Sequence, residues 1–191
     1  VTGKANSSSM TTSTNICGVL ANCSAKINRM TPNRSNPNVI YAFADGMIVP
    51  ASLDTCNAVS GKQAKHIRMV NHKPFYTPTS FVADSASFTY TFPEEEKGTG
   101  WHALTLPFKA DSVYIDSIPV ALDDCLKHFW IYEFSAQSVS GEVIFTPATE
   151  LRAATPYIIA ADSTMAGRSI EFRGVDVPFY KSGSDKMGIS S

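Results

Sequence analysis

The chain has 191 residues, 43% of them hydrophobic and 10% aromatic, which is enough to bury one sizeable core. Its 16 basic and 17 acidic residues leave a net charge of -1 and are spread along the chain, which excludes the basic stripe of a nucleic-acid-binding protein. No apolar run approaches the roughly 18 residues that a membrane helix needs, so a transmembrane helix is excluded as well.

Residues 1–15 are almost devoid of apolar side chains and, with the modest apolar spacing of 16–30, predict a flexible or irregular segment over 1–35. Pro32 and Pro37 make 31–38 an extended loop. Val39-Ile40-Tyr41-Ala42-Phe43 is a short apolar run closed by Asp45-Gly46, with Met47-Ile48-Val49 beyond it, which reads as a hairpin. Residues 66–70 offer a further strand. In Ser85-Ala86-Ser87-Phe88-Thr89-Tyr90-Thr91-Phe92 the alternation puts Phe88, Tyr90 and Phe92 on one buried face.

After a charged turn over 93–100, His102-Ala103-Leu104-Thr105-Leu106 sets Leu104 and Leu106 against Ala103 and Thr105. Short strands are then expected at 113–115, 129–134, 143–145, 157–160, 170–172 and 175–179, each bounded by Gly, Pro, Asp or Ser. The one helical turn expected lies near 120–126, and 181–191 read as a mobile tail. No internal repeat of 20 to 50 residues is visible, which argues against a solenoid. The spacing predicts an all-β fold, an antiparallel β-sandwich or jelly roll over 36–180 with at most one short helix.

Local signatures of catalysis are lacking. Gly167-Arg168-Ser169-Ile170-Glu171 has no second glycine to make a nucleophile elbow, and Gly61-Lys62 has neither the upstream glycine nor the Ser or Thr of a phosphate loop. A thiol and imidazole pair between Cys56 and one of His66, His72, His102 or His128 leaves no local spacing by which to read it. His66 and His72 lack a third ligand at strand-compatible spacing, so no metal site and no cofactor are expected. Cys17, Cys23, Cys56 and Cys125 are too sparse for a disulfide scaffold and allow either one bridge, Cys17 to Cys23, or four thiols. Charged residues form 17% of the chain against a usual level of roughly 25%, a deficit that accords with an extracellular β-protein. Val1 is not an initiator methionine followed by a signal pattern, so any export signal or anchor is expected upstream of it.

Aromatic rings supply flat apolar faces with polar tips, suited to stacking on sugars. Trp101, Trp130, Phe75, Tyr76 and Tyr180 are available for this, and Trp101, Tyr76 and Trp130 are the ligand-binding residues expected. Core packing is the competing reading for each ring.

The order Asn36-Pro37-Asn38-x-Ile40-Tyr41, Val49-Pro50-Ala51-Ser52-Leu53, Phe75-Tyr76-Thr77-Pro78, Gly98-Thr99-Gly100-Trp101-x-x-Leu104-x-Leu106-Pro107-Phe108, His128-Phe129-Trp130-x-x-Glu133-Phe134 and Thr155-Pro156-Tyr157-Ile158-Ile159 resembles a β-rich module. That module lies near the C-terminal end of cell-surface and secreted proteins of Bacteroides-type bacteria, often beside leucine-rich repeats or Ig-like domains. The resemblance implies an exported, surface-displayed, non-catalytic module, placed at the cell surface, at the outer membrane or in the periplasm. Adhesion, or contact with glycans or surface proteins, is the role expected of it. The resemblance equally suits a structural spacer presenting neighbouring repeats; a secreted hydrolase is the remaining alternative. Asp84-Ser85-Ala86, Asp111-Ser112-Val113, Asp116-Ser117-Ile118 and Asp162-Ser163-Thr164 each resemble the O-glycosylation acceptor of exported proteins of those bacteria, with Ser85, Ser112, Ser117 and Ser163 as acceptors. Asp-Ser is also ordinary turn chemistry at strand starts.

Overall fold

A computed structural model describes residues 9–11, 18–21, 27, 29–94, 100–124, 127–137 and 141–183. Among them the fold is all-β. In chain order the strands are β1 (Ser9–Thr11), β2 (Gly18–Ala21), β3 (Arg29–Thr31), β4 (Ile40–Phe43), β5 (Asn57–Ser60), β6 (Gln63–Val70) and β7 (Phe81–Thr91). They continue as β8 (His102–Thr105), β9 (Ser112–Ile115), β10 (Ile118–Val120), β11 (Phe129–Gln137), β12 (Val143–Pro147), β13 (Pro156–Ala161) and β14 (Ser169–Phe179). The only helical pieces among the described residues are single 3-10 turns at Ala51–Leu53 and Ser163–Met165. No helix there is long and apolar enough to cross a membrane.

The strands form a parallel pair β1-β3, an eight-stranded sheet of order β10-β9-β14-β7-β6-β5-β4-β2, and a four-stranded sheet of order β12-β11-β13-β8. Where composition suggests one domain over 36–180, the described residues divide into two compact units. One unit runs up to Ser87 and resumes at Val175; the other holds Phe88–Gly174. Both divisions fall inside long strands, β7 and β14, so no linker composition marks them.

In the first unit the chain winds. β2, β4 and β5 are parallel neighbours, Gly18 opposite Ile40 and Ile40 opposite Asn57, while β1 lies parallel to β3 with Ser9 opposite Arg29. Each partner is one circuit of roughly 20 residues further along, the arrangement of a solenoid. β4 is central, and all four of its residues are buried, as a parallel strand covered on both faces requires. Val19, Met30, Tyr41, Phe43 and Leu53 fill the interior of the coil. The ladder continues past the strand ends, where the Ala44 amide donates to Ala21 O and the Gly61 amide to Phe43 O, both at 2.9 Å.

Three expectations change here. Residues 18–21 and 29–31 lie in the stretch read as irregular, yet they are strands whose side chains Val19, Ala21 and Met30 enter the core. Asp45-Gly46 does turn the chain, with Gly46 at φ 77°, but 47–49 form no strand and β4 pairs with parallel neighbours, so there is no hairpin. The solenoid-like winding was invisible because its period lives in backbone pairing and in scattered asparagines, with no recurring residue pattern.

Those asparagines take the place of missing rungs. The Asn57 side chain accepts from the Arg68 amide at 2.7 Å and donates to Arg68 O at 2.8 Å and Pro37 O at 3.0 Å. Asn38, fully buried, accepts from the Val70 amide at 2.8 Å and donates to Val70 O at 2.9 Å and Lys73 O at 2.8 Å. Each primary amide presents a donor and an acceptor side by side, as a backbone peptide does, and so pairs with the backbone of β6 as a further rung would.

In the second unit β11 pairs antiparallel with β12 and β13, and β13 with β8. Phe88, Tyr90 and Phe92 are all buried, as their alternation predicts, and so are Leu104, Leu106, Phe108, Phe129 and Ile131. β9 and β10 form a hairpin whose two central residues, Asp116 and Ser117, have φ of 49° and 68°, a type I′ signature. The helical turn expected over 120–126 is replaced at its start by the end of β10 and a turn at 122–123; residues 125 and 126 lie outside the described residues. The expected strands at 170–172 and 175–179 are one strand, β14. The tail expected over 181–191 falls outside the described residues from 184 onward.

Candidate functional site

The pleat of the four-stranded sheet decides which aromatic rings face out. Along β11, Phe129 and Ile131 point to the core, so Trp130, Tyr132 and Phe134 point to the opposite face. Ala103 and Thr105 of β8 are exposed on that face, Ile158 of β13 lies between Ala103 and Tyr132, and Phe145 of β12 stands opposite Phe134. Trp101, immediately before β8, is 56% exposed and meets Tyr132 edge to face, ring centroids 5.4 Å apart at 85°. Phe134 and Phe145 repeat the geometry at 6.3 Å and 79°. Their strands are not hydrogen-bonded to each other at that pair: the Ala148 amide donates to Ile131 O, and counting back along the ladder leaves Phe134 and Phe145 at a close, unbonded position. Edge-to-face pairs lock ring orientation, so the face is ordered while its rings remain accessible.

Beside this sheet is an open cleft of about 860 Å³. Its walls include Val120, Leu122, Pro147 and Leu151, and its polar groups include Lys109, Asp111, Asp123 and Glu150. Glu150 is not a free carboxylate: Arg152 pairs with it at 3.2 Å and also with Glu133 on β11. Glu133 raises the Arg152 guanidinium still further above its ordinary range.

The three expected ligand-binding residues are divided. Trp101 and Trp130, the latter 39% exposed, belong to the four-stranded sheet of the second unit. Tyr76 is 42% exposed but belongs to the first unit, where its ring lies on Gly18 of β2; a Cβ there would be 2.9 Å from Tyr76 O and 3.0 Å from the ring. Tyr132, Phe134 and Phe145 escaped the sequence reading. Apart from Glu133, which shares the parity of the buried Phe129 and Ile131, the run from Phe129 to Phe134 is apolar at both parities, so nothing but the strand register tells inner rings from outer ones.

Of the four serines expected as acceptors, Ser117 is exposed at the tip of the β9-β10 hairpin and Ser163 is exposed in a 3-10 turn. Ser112 is half-buried at the start of β9 and lines the cleft. Ser85 lies 2.6 Å from His66 Nδ1, and the other ring nitrogen of His66 is 3.2 Å from Ser87 Oγ. His66 is therefore held between two serines. Cys56 packs against the apolar interior of the coil, and burial raises its thiol pKa. It is a free thiol; Cys17, Cys23 and Cys125, and with them the expected bridge, lie outside the described residues. No group of three or more His, Cys, Asp or Glu among the described residues is arranged to hold a metal ion.

His128, immediately before β11, and Asp162 form a separate polar pair, with His128 Nδ1 donating to Asp162 Oδ2 at 2.7 Å. The Thr164 hydroxyl donates to Asp162 Oδ1 at 2.5 Å and its amide does so at 2.9 Å, capping the 3-10 turn. Thr164, and then His128, hold the Asp162 carboxyl below the usual aspartate range. A carboxylate with a lowered pKa in the folded state stabilises above its unfolded value and loses that contribution as the pH falls through its folded one. Asp162→Asn keeps a capping oxygen but not the charge. Urea unfolding of both proteins is expected to show the wild type more stable at pH 7, with the gap closing below about pH 4. A gap that stays constant down to low pH would mean that the charge contributes nothing.

Comparison with protein-family models, with curated proteins and with solved structures finds no match to this chain.

Proposed function

We propose that this chain is a non-catalytic module of an exported, surface-displayed bacterial protein, that its second unit is a β-sandwich, and that it binds a glycan across the outer face of the four-stranded sheet. The observation that carries the reading is the row of outward rings on that face, Trp101, Trp130, Tyr132, Phe134 and Phe145, in one compact unit. Apolar rings left open to water in this number are unusual for a surface with no partner. They suit the flat C–H faces of sugar rings, while the neighbouring cleft supplies carboxylates and Ser112 to accept hydroxyl hydrogen bonds. The sandwich reading is supported by the closed inner face of the same sheet, where Leu104, Phe129, Ile131 and Tyr157 are buried. Export and surface display rest on the motif resemblance and on the low charge content.

A glycan array followed by titration of the best ligand tests this. Trp101→Ala and Trp130→Ala are each expected to weaken binding at least about tenfold, equivalent to roughly 1.4 kcal/mol. Tyr76→Ala, in the other unit, is expected to leave it unchanged. Binding that survives loss of both tryptophans would refute the assignment of the face. Failure to bind any glycan would favour the spacer role.

A further inference from the structure

β12 closes one edge of the four-stranded sheet. β11 lies on one side, and no described strand lies on the other. All five residues of β12 are exposed. The Ala148 amide donates to Ile131 O at 2.9 Å, and peptide groups alternate in direction along a strand, so Thr146 and Ile144 also face β11. Val143 and Phe145 therefore turn their N–H and C=O groups outward. The bulge in this pairing lies on β11, between Phe134 and Ala136, and leaves the alternation of β12 intact. Edge strands are ordinarily guarded by charged side chains or proline. Residues 143–147 carry no charge, and their proline, Pro147, stands at the strand's last position.

We propose that β12 is the seam of a homodimer, in which the same strand of a second copy adds antiparallel about a two-fold axis at Ile144. Self-complementarity argues for a second copy. The axis sets Val143 opposite Phe145, so each residue's outward N–H meets the other's outward C=O, giving four hydrogen bonds from groups that otherwise face water. Ile144 then meets its own symmetry mate, Glu142 faces Thr146, and no like charges are opposed. Pro147 falls opposite Gly141, beyond the paired residues, where its missing N–H interrupts nothing. Setting Phe145 opposite itself would instead put Pro147 against Val143 inside the ladder and leave the Val143 carbonyl without a donor. The favoured register joins two four-stranded sheets into one of eight strands.

Sedimentation velocity of the full chain across a micromolar to several-hundred-micromolar series tests the proposal. A dimer is expected at the upper concentrations. Val143→Pro deletes an outward donor without touching the β11 ladder, and Phe145→Lys places a charge on each copy's seam. Both are expected to raise the dissociation constant at least tenfold while the unfolding midpoint and circular dichroism spectrum stay close to wild type. Trp101→Ala, before the opposite edge strand, should leave the dimer intact. The proposal is overturned by a chain that stays monomeric throughout, whether its edge is bare or taken by another protein's strand. It is equally overturned by a dimer indifferent to both seam variants, or by one that Trp101→Ala dissociates.

Discussion

Asn57→Ala is expected to lower the unfolding free energy by on the order of 3 kcal/mol, an effect out of proportion to the few atoms removed. The side chain makes three hydrogen bonds, two to the peptide groups of Arg68 and one to Pro37 O. Asn57 itself is 2% exposed, so little water can replace them. Alanine leaves an amide and two carbonyls short of partners, and an unmet buried backbone group costs about 1–3 kcal/mol. Asn38→Ala should behave alike, because that side chain holds both peptide groups of Val70 and the carbonyl of Lys73. Asn38→Asp is expected to be at least as damaging at neutral pH. It keeps the shape and the acceptor but replaces two donated hydrogen bonds with a carboxylate facing two carbonyls. Urea unfolding of the three variants decides the matter. Losses within about 0.5 kcal/mol of wild type would mean that the asparagines decorate the coil and do not brace it.

Phe129→Ala is expected to cost about 3–5 kcal/mol. Phe129 is fully buried at the start of β11, opposite Ala161, on the inner side of the sheet that carries the outward rings. Truncation removes a large apolar surface and leaves a cavity that a sheet braced on both sides of β11 cannot collapse to fill. The adjacent Trp130→Ala removes a larger ring for a much smaller loss of stability, because its side chain is partly in water already. Thermal unfolding should therefore separate neighbouring residues cleanly. Phe129→Ala is expected to lower the midpoint by many degrees and Trp130→Ala by few, whereas titration with the proposed glycan at a temperature where both are folded is expected to reverse the order. Equal midpoints would mean that the assignment of inner and outer faces is incorrect.

What was legible in the sequence was local. Phe88, Tyr90 and Phe92 announced their own face because small polar residues separate them, and Leu104 and Leu106 did so for the same reason. Chain direction was not legible, since a four-residue apolar run such as β4 suits a hairpin and a parallel rung equally well. Asp45-Gly46 tipped the choice toward a hairpin, although a tight turn also serves to round the corner of a coil. Gly174 suggested a break between two strands, yet β14 runs through it and takes up the irregularity at Asp176, with φ of 50°. Trp101 and Trp130 could be picked out by size alone. Their neighbours on the face could not, because register is a long-range property that pairs Trp130 with Ala160 and Phe134 with Phe145. The Asn36-Pro37-Asn38 segment stood out as a motif, but its physical work is to bond to backbone between 32 and 38 residues away.

The winding of the first unit also bears on how such a protein changes length over generations. A barrel or closed sandwich has a set number of strands, and inserting one disturbs every neighbour. A coil whose rungs are joined only to the rung before and the rung after can gain or lose a circuit of roughly 20 residues with its remaining turns untouched. β2, at the outer end of the order β5-β4-β2, is the rung against which such a circuit would be laid. The number of circuits in the first unit is thus adjustable without rewriting the strand pairings that build the ring-bearing face of the second.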